Sequence, residues 1–151
     1  MTININESFI TEKALDYAKL SDLAYGLWKY TGQGWVLDKD AYEEDKKLKE
    51  YYEHDKIWRE LKAPEKGYTI VDHTPNDPLT GFSATIFQKG GKDILAIRGS
   101  EDYYDYLADA AVLDDKVLPY AQFQSLIDYV AGSGLTDFDV TGHSLGASWL
   151  R

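Results

Sequence analysis

The chain has 151 residues, 44% apolar and 14% aromatic, a composition suited to one folded domain with a core and unlike that of a disordered chain. Sixteen basic residues against 26 acidic ones leave a formal charge of −10. That field argues against nucleic acid as a partner and against electrostatic docking on anionic membranes, though an apolar segment could still insert into a lipid surface.

The absence of cysteine removes disulfides, thiolate nucleophiles and Cys-based metal sites. Met1 to Lys19 has no secretory apolar stretch, and no apolar run approaches the roughly 18 residues of a membrane span. A cytoplasmic location remains open, as does export by a C-terminal signal.

In chain order, Ala14, Leu15, Ala18, Leu23, Ala24 and Leu27 recur at helical spacing and predict a helix over 11–30, with Thr11 as its cap. Gly32 and Gly34 break it. A second helix is predicted over 40–62, with Leu48, Tyr51, Trp58 and Leu61 as its apolar stripe. Its i,i+4 ion pairs would be Glu43–Lys47, Asp45–Lys49 and Asp55–Arg59, and Pro64 and Gly67 end it. Its charges read as a solvated face. Residues 1–66 therefore form a helical N-terminal region, either a cap or a decoration on the sheet.

From Tyr68 the period becomes that of strands. Tyr68–Val71 is one, Phe82–Gln88 the next, and Asp93–Ile97 returns after the Lys89-Gly90-Gly91-Lys92 turn. Residues 101–113 read as a short helix or lid-like loop carrying Tyr103, Tyr104, Tyr106 and Leu107. Pro119 opens a helix to about Ala131 with Phe123, Leu126, Ile127 and Val130 inward; Gly132 and Gly134 end it. Phe138–Thr141 is a final strand. Strands, then a helix, then a strand predict an α/β layered fold with a hairpin in its first half.

That last strand runs into Gly142-His143-Ser144-Leu145-Gly146, a G-x-S-x-G run between a strand and a helix start. A nucleophilic serine stands on such a turn, where glycine permits the tight backbone path. The competing reading is an ordinary serine in a glycine-flanked turn. Acyl transfer also needs amides aimed at the oxyanion. The amide of Leu145 is one candidate, and the loop at Ser100, after the strand Ile94–Ile97, offers another.

A base and an orienting group are needed as well, yet none of the seven residues after Ser144 is His, Asp or Glu. His143 adjoins the serine and projects differently. His54 reads as a surface residue and His73 as a solvated turn residue. Three scattered histidines make a poor metal site, and no metal or cofactor is expected. Asp109 reads as a carboxylate that pins the loop after Ser100.

Three segments together resemble the class 3, or fungal-type, lipases and their bacterial members. Ile97-Arg98-Gly99-Ser100 is similar to that family's strand followed by Arg-Gly-Ser/Thr. Asp105-Tyr106-Leu107-Ala108-Asp109 is similar to its Asp/Asn-Trp-x-x-Asp-Leu segment, with Tyr106 for Trp and Ala110 for Leu. Val140–Gly146 resembles its elbow, with Ala147 where a further Gly is frequent. These segments lie within residues 94–151, and residues 1–66 add nothing to the likeness.

The resemblance implies a partial α/β-hydrolase sheet over 67–151, mixed and with a hairpin, ending at the elbow. It implies hydrolysis of lipid or small esters, with Ser144 as nucleophile and Ser100 and Leu145 lining the oxyanion hole. Tyr103, Tyr104 and Tyr106 would belong to the lid. The family's downstream Asp and His are missing, so the chain reads as an N-terminal portion that is inactive alone. A non-catalytic lipid- or protein-binding module is the alternative. An uncovered strand edge beside the elbow strand would favour self-association.

Overall fold

The computed structural model describes residues 5–75, 82–98 and 117–142. Helix α1 (Ile5–Leu23) leads into a two-stranded hairpin, β1 (Trp28–Tyr30) and β2 (Trp35–Leu37). Helices α2 (Lys39–Glu44) and α3 (Leu48–Lys62) come next, then strands β3 (Thr69–Thr74), β4 (Ser83–Lys89) and β5 (Lys92–Arg98). Helix α4 (Val117–Ser133) and strand β6 (Phe138–Gly142) complete the described elements.

The main sheet has the order β3-β4-β5-β6. β3/β4 and β4/β5 are antiparallel, while β5/β6 is parallel. The fold is thus mixed α/β, as the alternation of periods predicts. Gly90 and Gly91, at φ 57° and 79°, make the two-residue turn between β4 and β5, a conformation other residues adopt only with strain.

Each face of the sheet has its own apolar cluster. On one, Phe87, Ile94 and Ala96 pack with Leu20 and Leu23 of α1, Ala24 just after it, Trp28 of β1, and Trp58 and Leu61 of α3. On the other, Ala84, Ile86, Leu95 and Ile97 pack with Leu126, Tyr129 and Val130 of α4, and with Phe138 and Val140. A bulge at Val71 shifts the register, so that Ile70 pairs with Phe87 and Asp72 with Ile86. The extra residue turns both Ile70 and His73 towards the α1/α3 layer and leaves Val71 half exposed.

Several expectations are corrected. The first helix covers Ile5–Leu23, and the segment predicted as its last turns is the strand β1 of a hairpin closed around Gly32 and Gly34. Residues 1–66 therefore include two strands. Nor does the helix bury Ala14, Leu15 and Ala18, which are exposed, Leu15 to 55%. Its inward face carries Asp16, Leu20, Ser21 and Leu23. Polar groups are tolerated there because each is bonded: Asp16 takes Lys66 Nζ at 2.9 Å and Tyr68 Oη at 3.2 Å.

The second predicted helix is two, broken at 45–47 where Lys46 has φ 58°. The pairs Glu43–Lys47 and Asp45–Lys49 straddle that break, whereas Asp55–Arg59 forms at 2.9 Å inside α3. On α4, Ile127 faces solvent at 45% exposure and Tyr129 packs inward instead, its hydroxyl donating to Asp72 at 2.9 Å. Phe123 lies outside the residues whose side chains are described.

The burial difference sets a direct test. Ile97 is fully buried between β4, α4 and β6, so Ile97→Ala should cost about 2–5 kcal/mol in urea unfolding. Ile127→Ala should stay within about 0.5 kcal/mol. Equal losses would mean that α4 does not roof the sheet in the observed orientation.

Candidate functional site

β5 and β6 lie side by side and run the same way, with Ile97 opposite Gly142. Chain direction then takes β5 through Arg98 into residues 99–100, and β6 through Gly142 into residues 143–145. Both continuations begin at the same end of the sheet, from neighbouring strands. Ser144, Ser100, Leu145, Tyr103, Tyr104, Tyr106, His143 and Asp109 all lie outside the described residues.

The platform beneath that end is described, and it is held firmly. Thr141, one residue before Gly142, is buried with its hydroxyl 2.7 Å from Ser21 Oγ and 3.1 Å from the Tyr17 carbonyl. Ser21 Oγ lies 3.1 Å from the same carbonyl. One hydroxyl donates to the carbonyl and accepts from the other, closing a triangle between α1 and β6. Two residues back, Asp139 accepts the Tyr17 hydroxyl and lies 3.4 Å from Lys13 Nζ. The Tyr17 bond holds the Asp139 carboxyl below its usual range; burial opposes it less strongly, and Lys13 and Lys92 add to the lowering.

At the end of β5, the Arg98 guanidinium sits 5.2 Å above the Tyr25 ring. Its Nε is buried and has no hydrogen-bond partner among the described residues. Arg98 also lines a cavity of about 320 Å³ with Trp28, Asp38, His73 and Ser83. None of these neighbours was singled out from the sequence except His73. The alternation in Trp28-Lys29-Tyr30 and Trp35-Val36-Leu37 around Gly-x-Gly was the signal that would have found the hairpin bringing Trp28 there.

Both described histidines depart from their expected places. His73 is a buried strand residue, its Nδ1 2.8 Å from Thr85 Oγ1 and its ring edge-on to Trp35 at 5.7 Å. His54 is half-buried, with Nδ1 2.7 Å from Tyr42 Oη, which also accepts the Leu27 amide at 3.0 Å. Burial lowers the pKa of both rings, that of His73 from 6.5 to about 4. Neither ring is on β5 or β6.

Among the described residues no cluster of His, Asp or Glu has a metal-holding arrangement, and no helix is long and apolar enough to cross a membrane. Comparison with known proteins finds no matching family model, curated protein or solved structure.

The neutral His73 has a consequence for acid stability. Between pH 6.5 and about 4 the unfolded chain binds a proton that the folded one refuses, so stability is complete above pH 6.5 and declines as pH falls. The loss approaches roughly 3 kcal/mol at the low end of that window. Urea midpoints measured at pH 7.5, 6 and 5 should fall more steeply for the native chain than for His73→Gln. Parallel slopes would mean that the ring is not held neutral.

Proposed function

We propose that this chain carries the nucleophile and the oxyanion donors of a serine carboxylic-ester hydrolase with an α/β-hydrolase sheet, acting on lipid-like esters. The observation that carries the proposal is the parallel pairing of β5 and β6 with Ile97 opposite Gly142. A strand-borne serine and a second amide must converge within about 3 Å of one oxygen, which adjacent strands leaving one sheet end can achieve. Helices over both sheet faces also suit a strand–elbow–helix that needs a rigid base.

On this reading the Ser144 hydroxyl attacks the ester carbonyl, and the amides of Ser100 and Leu145 receive the developing oxyanion. Neither His54 nor His73 is assigned as base, since each has Nδ1 committed to a hydroxyl, that of Tyr42 for His54 and that of Thr85 for His73. The base and its carboxylate would come from sequence outside residues 1–151, and the chain alone would keep at most roughly 10³-fold acceleration over water. That commitment of both histidines equally favours a second reading, a non-catalytic lipid- or protein-binding module.

Labelling with a fluorophosphonate and turnover of p-nitrophenyl butyrate separate the two. A reading frame extended past Arg151 that supplies His and Asp should be labelled and active, and Ser144→Ala should abolish both. Residues 1–151 alone should be nearly silent. Strong turnover by them would overturn the assignment of the base, and an extended form that stays unlabelled would favour the binding module.

The reading also includes self-association at β6. Among the described elements β6 is an edge strand, although Thr141 packs on α1 and Val140 packs towards α4. Edges of this kind recruit another strand. Sedimentation should show oligomers of residues 1–151 at high concentration; a clean monomer would count against it.

A further inference from the structure

Beside the start of β5, at the end of the sheet away from residues 99–100 and 143–145, lies a cavity of about 330 Å³. Tyr17, Tyr68 and Ile94 line it, with Lys13 of α1 and with Lys89, Gly90 and Lys92 of the β4–β5 hairpin. Register places Lys89 directly opposite Lys92. Side chains so paired stand on one face of the sheet, here that of Phe87 and Ile94, each two residues away along its strand. Like charges in such positions repel. The pair is the more notable in a chain with 26 acidic residues and only 16 basic ones.

The carboxylates around this cavity are already engaged. One oxygen of Asp139 takes the Tyr17 hydroxyl and lies 3.4 Å from Lys13 Nζ; the other lies 3.7 Å from Lys92 Nζ. Asp137 accepts from Lys92 at 2.8 Å. Glu12 and Asp16, the two acids of the lining, share Lys66 Nζ at 2.9 Å each, and Asp16 also takes the Tyr68 hydroxyl. Lys89 is left over. Its ammonium stands 4.9 Å from the centre of the Tyr68 ring, and among the described residues it has no carboxylate partner. Lys13 Nζ stands likewise 5.3 Å from the Tyr17 ring. The cavity thus joins aromatic walls to a lip of three ammonium groups, one of them without a counter-charge.

We propose that this cavity binds a small aromatic carboxylate, its headgroup bridging Lys89 and Lys92 and its ring lying against Tyr17, Tyr68 and Ile94. Charge decides the headgroup. An anion between the two ammonium groups turns a repulsive cross-strand pair into two charge-assisted hydrogen bonds. The walls decide the body. Rings and an aliphatic side chain around a space of this size suit a flat apolar ligand better than a bare ion, which would gain nothing from them. The site shares no residue with the ends of β5 and β6, so it stands or falls independently of the hydrolase reading.

Equilibrium dialysis of residues 1–151 against cinnamate tests the idea. One molecule should bind per chain. Cinnamyl alcohol, which lacks the charge, and acetate, which lacks the ring, should each bind at least tenfold more weakly. Lys89→Glu should weaken cinnamate at least tenfold, whereas Lys56→Glu, the same charge change at an exposed position of α3, should leave it nearly unchanged. In urea, cinnamate should raise the unfolding midpoint of the native chain and not that of Lys89→Glu. Without ligand, Lys89→Glu should itself unfold at higher urea than the native chain, because it sets an acid opposite Lys92. The proposal is overturned by absence of binding, by equal weakening in both variants, or by a ligand-free Lys89→Glu midpoint below the native one. Acetate or inorganic phosphate binding as tightly as cinnamate would also overturn it, by reducing the site to surface charge.

Discussion

Four consecutive side chains of β5, Ile94 to Ile97, are almost completely withheld from water, and the architecture stems from that. Successive residues of a strand point to opposite faces, so such a run has to be roofed on both sides. Ile94 and Ala96 require the α1/α3 layer, and Leu95 and Ile97 require α4. Each large aliphatic side chain so covered contributes roughly 1.5–3 kcal/mol relative to exposure. β4 repeats the pattern from Ser83 to Phe87, which makes the β4–β5 hairpin the centre on which the helices settle.

A two-sided core leaves little room for polar groups, and those it contains are tied to one another across long stretches of chain. Asp16, Ser21 and Thr141 are buried yet bonded, and these bonds join α1 to the α3–β3 connection and to β6. The separation of 120 residues between Ser21 and Thr141 means that the triangle forms only when the sheet and α1 meet in one register. An apolar pair would pack nearly as well in several; a hydroxyl that loses its partner in a buried place costs about 1–3 kcal/mol. Polar contacts here select an arrangement that apolar area alone would leave loose.

That division explains which features could be read from the sequence. β4, the Gly90-Gly91 turn and β5 were legible because one local signal, branched residues around a glycine pair, agrees with the packed state. Helix α1 was misread because Ala14, Leu15 and Ala18 have the right spacing for an inward face, while the true inward face includes Asp16 and Ser21, whose partners are 50 to 120 residues away. Nothing local marks a buried Asp as satisfied. His73 is a similar case: it reads as a turn residue between Asp72 and Thr74 until the Val71 bulge aims it at Thr85. Of the candidate site, the sequence suggested residues whose positions depend on two strands being neighbours. Adjacency of β5 and β6 is a matter of sheet order, which hydrophobic period does not carry.

Sheet order also gives the molecule its polarity. β3, β5 and β6 all point the same way, so His73, Arg98 and Gly142 lie towards one end while the Gly90-Gly91 turn and Lys92 lie at the other. The far end is dense in paired charges: Lys92 with Asp137 and Asp139, and Lys66 with Glu12 and Asp16. The near end has the aromatic hairpin, a guanidinium over Tyr25 and a cavity lined by Asp38, whose carboxylate lies 3.9 Å from Lys29. Sheet polarity thus separates an end where Lys66 and Lys92 each bridge two carboxylates from an end packed by rings, with Trp35 on His73 and Arg98 over Tyr25, so ion pairs tie the first and aromatic contacts the second.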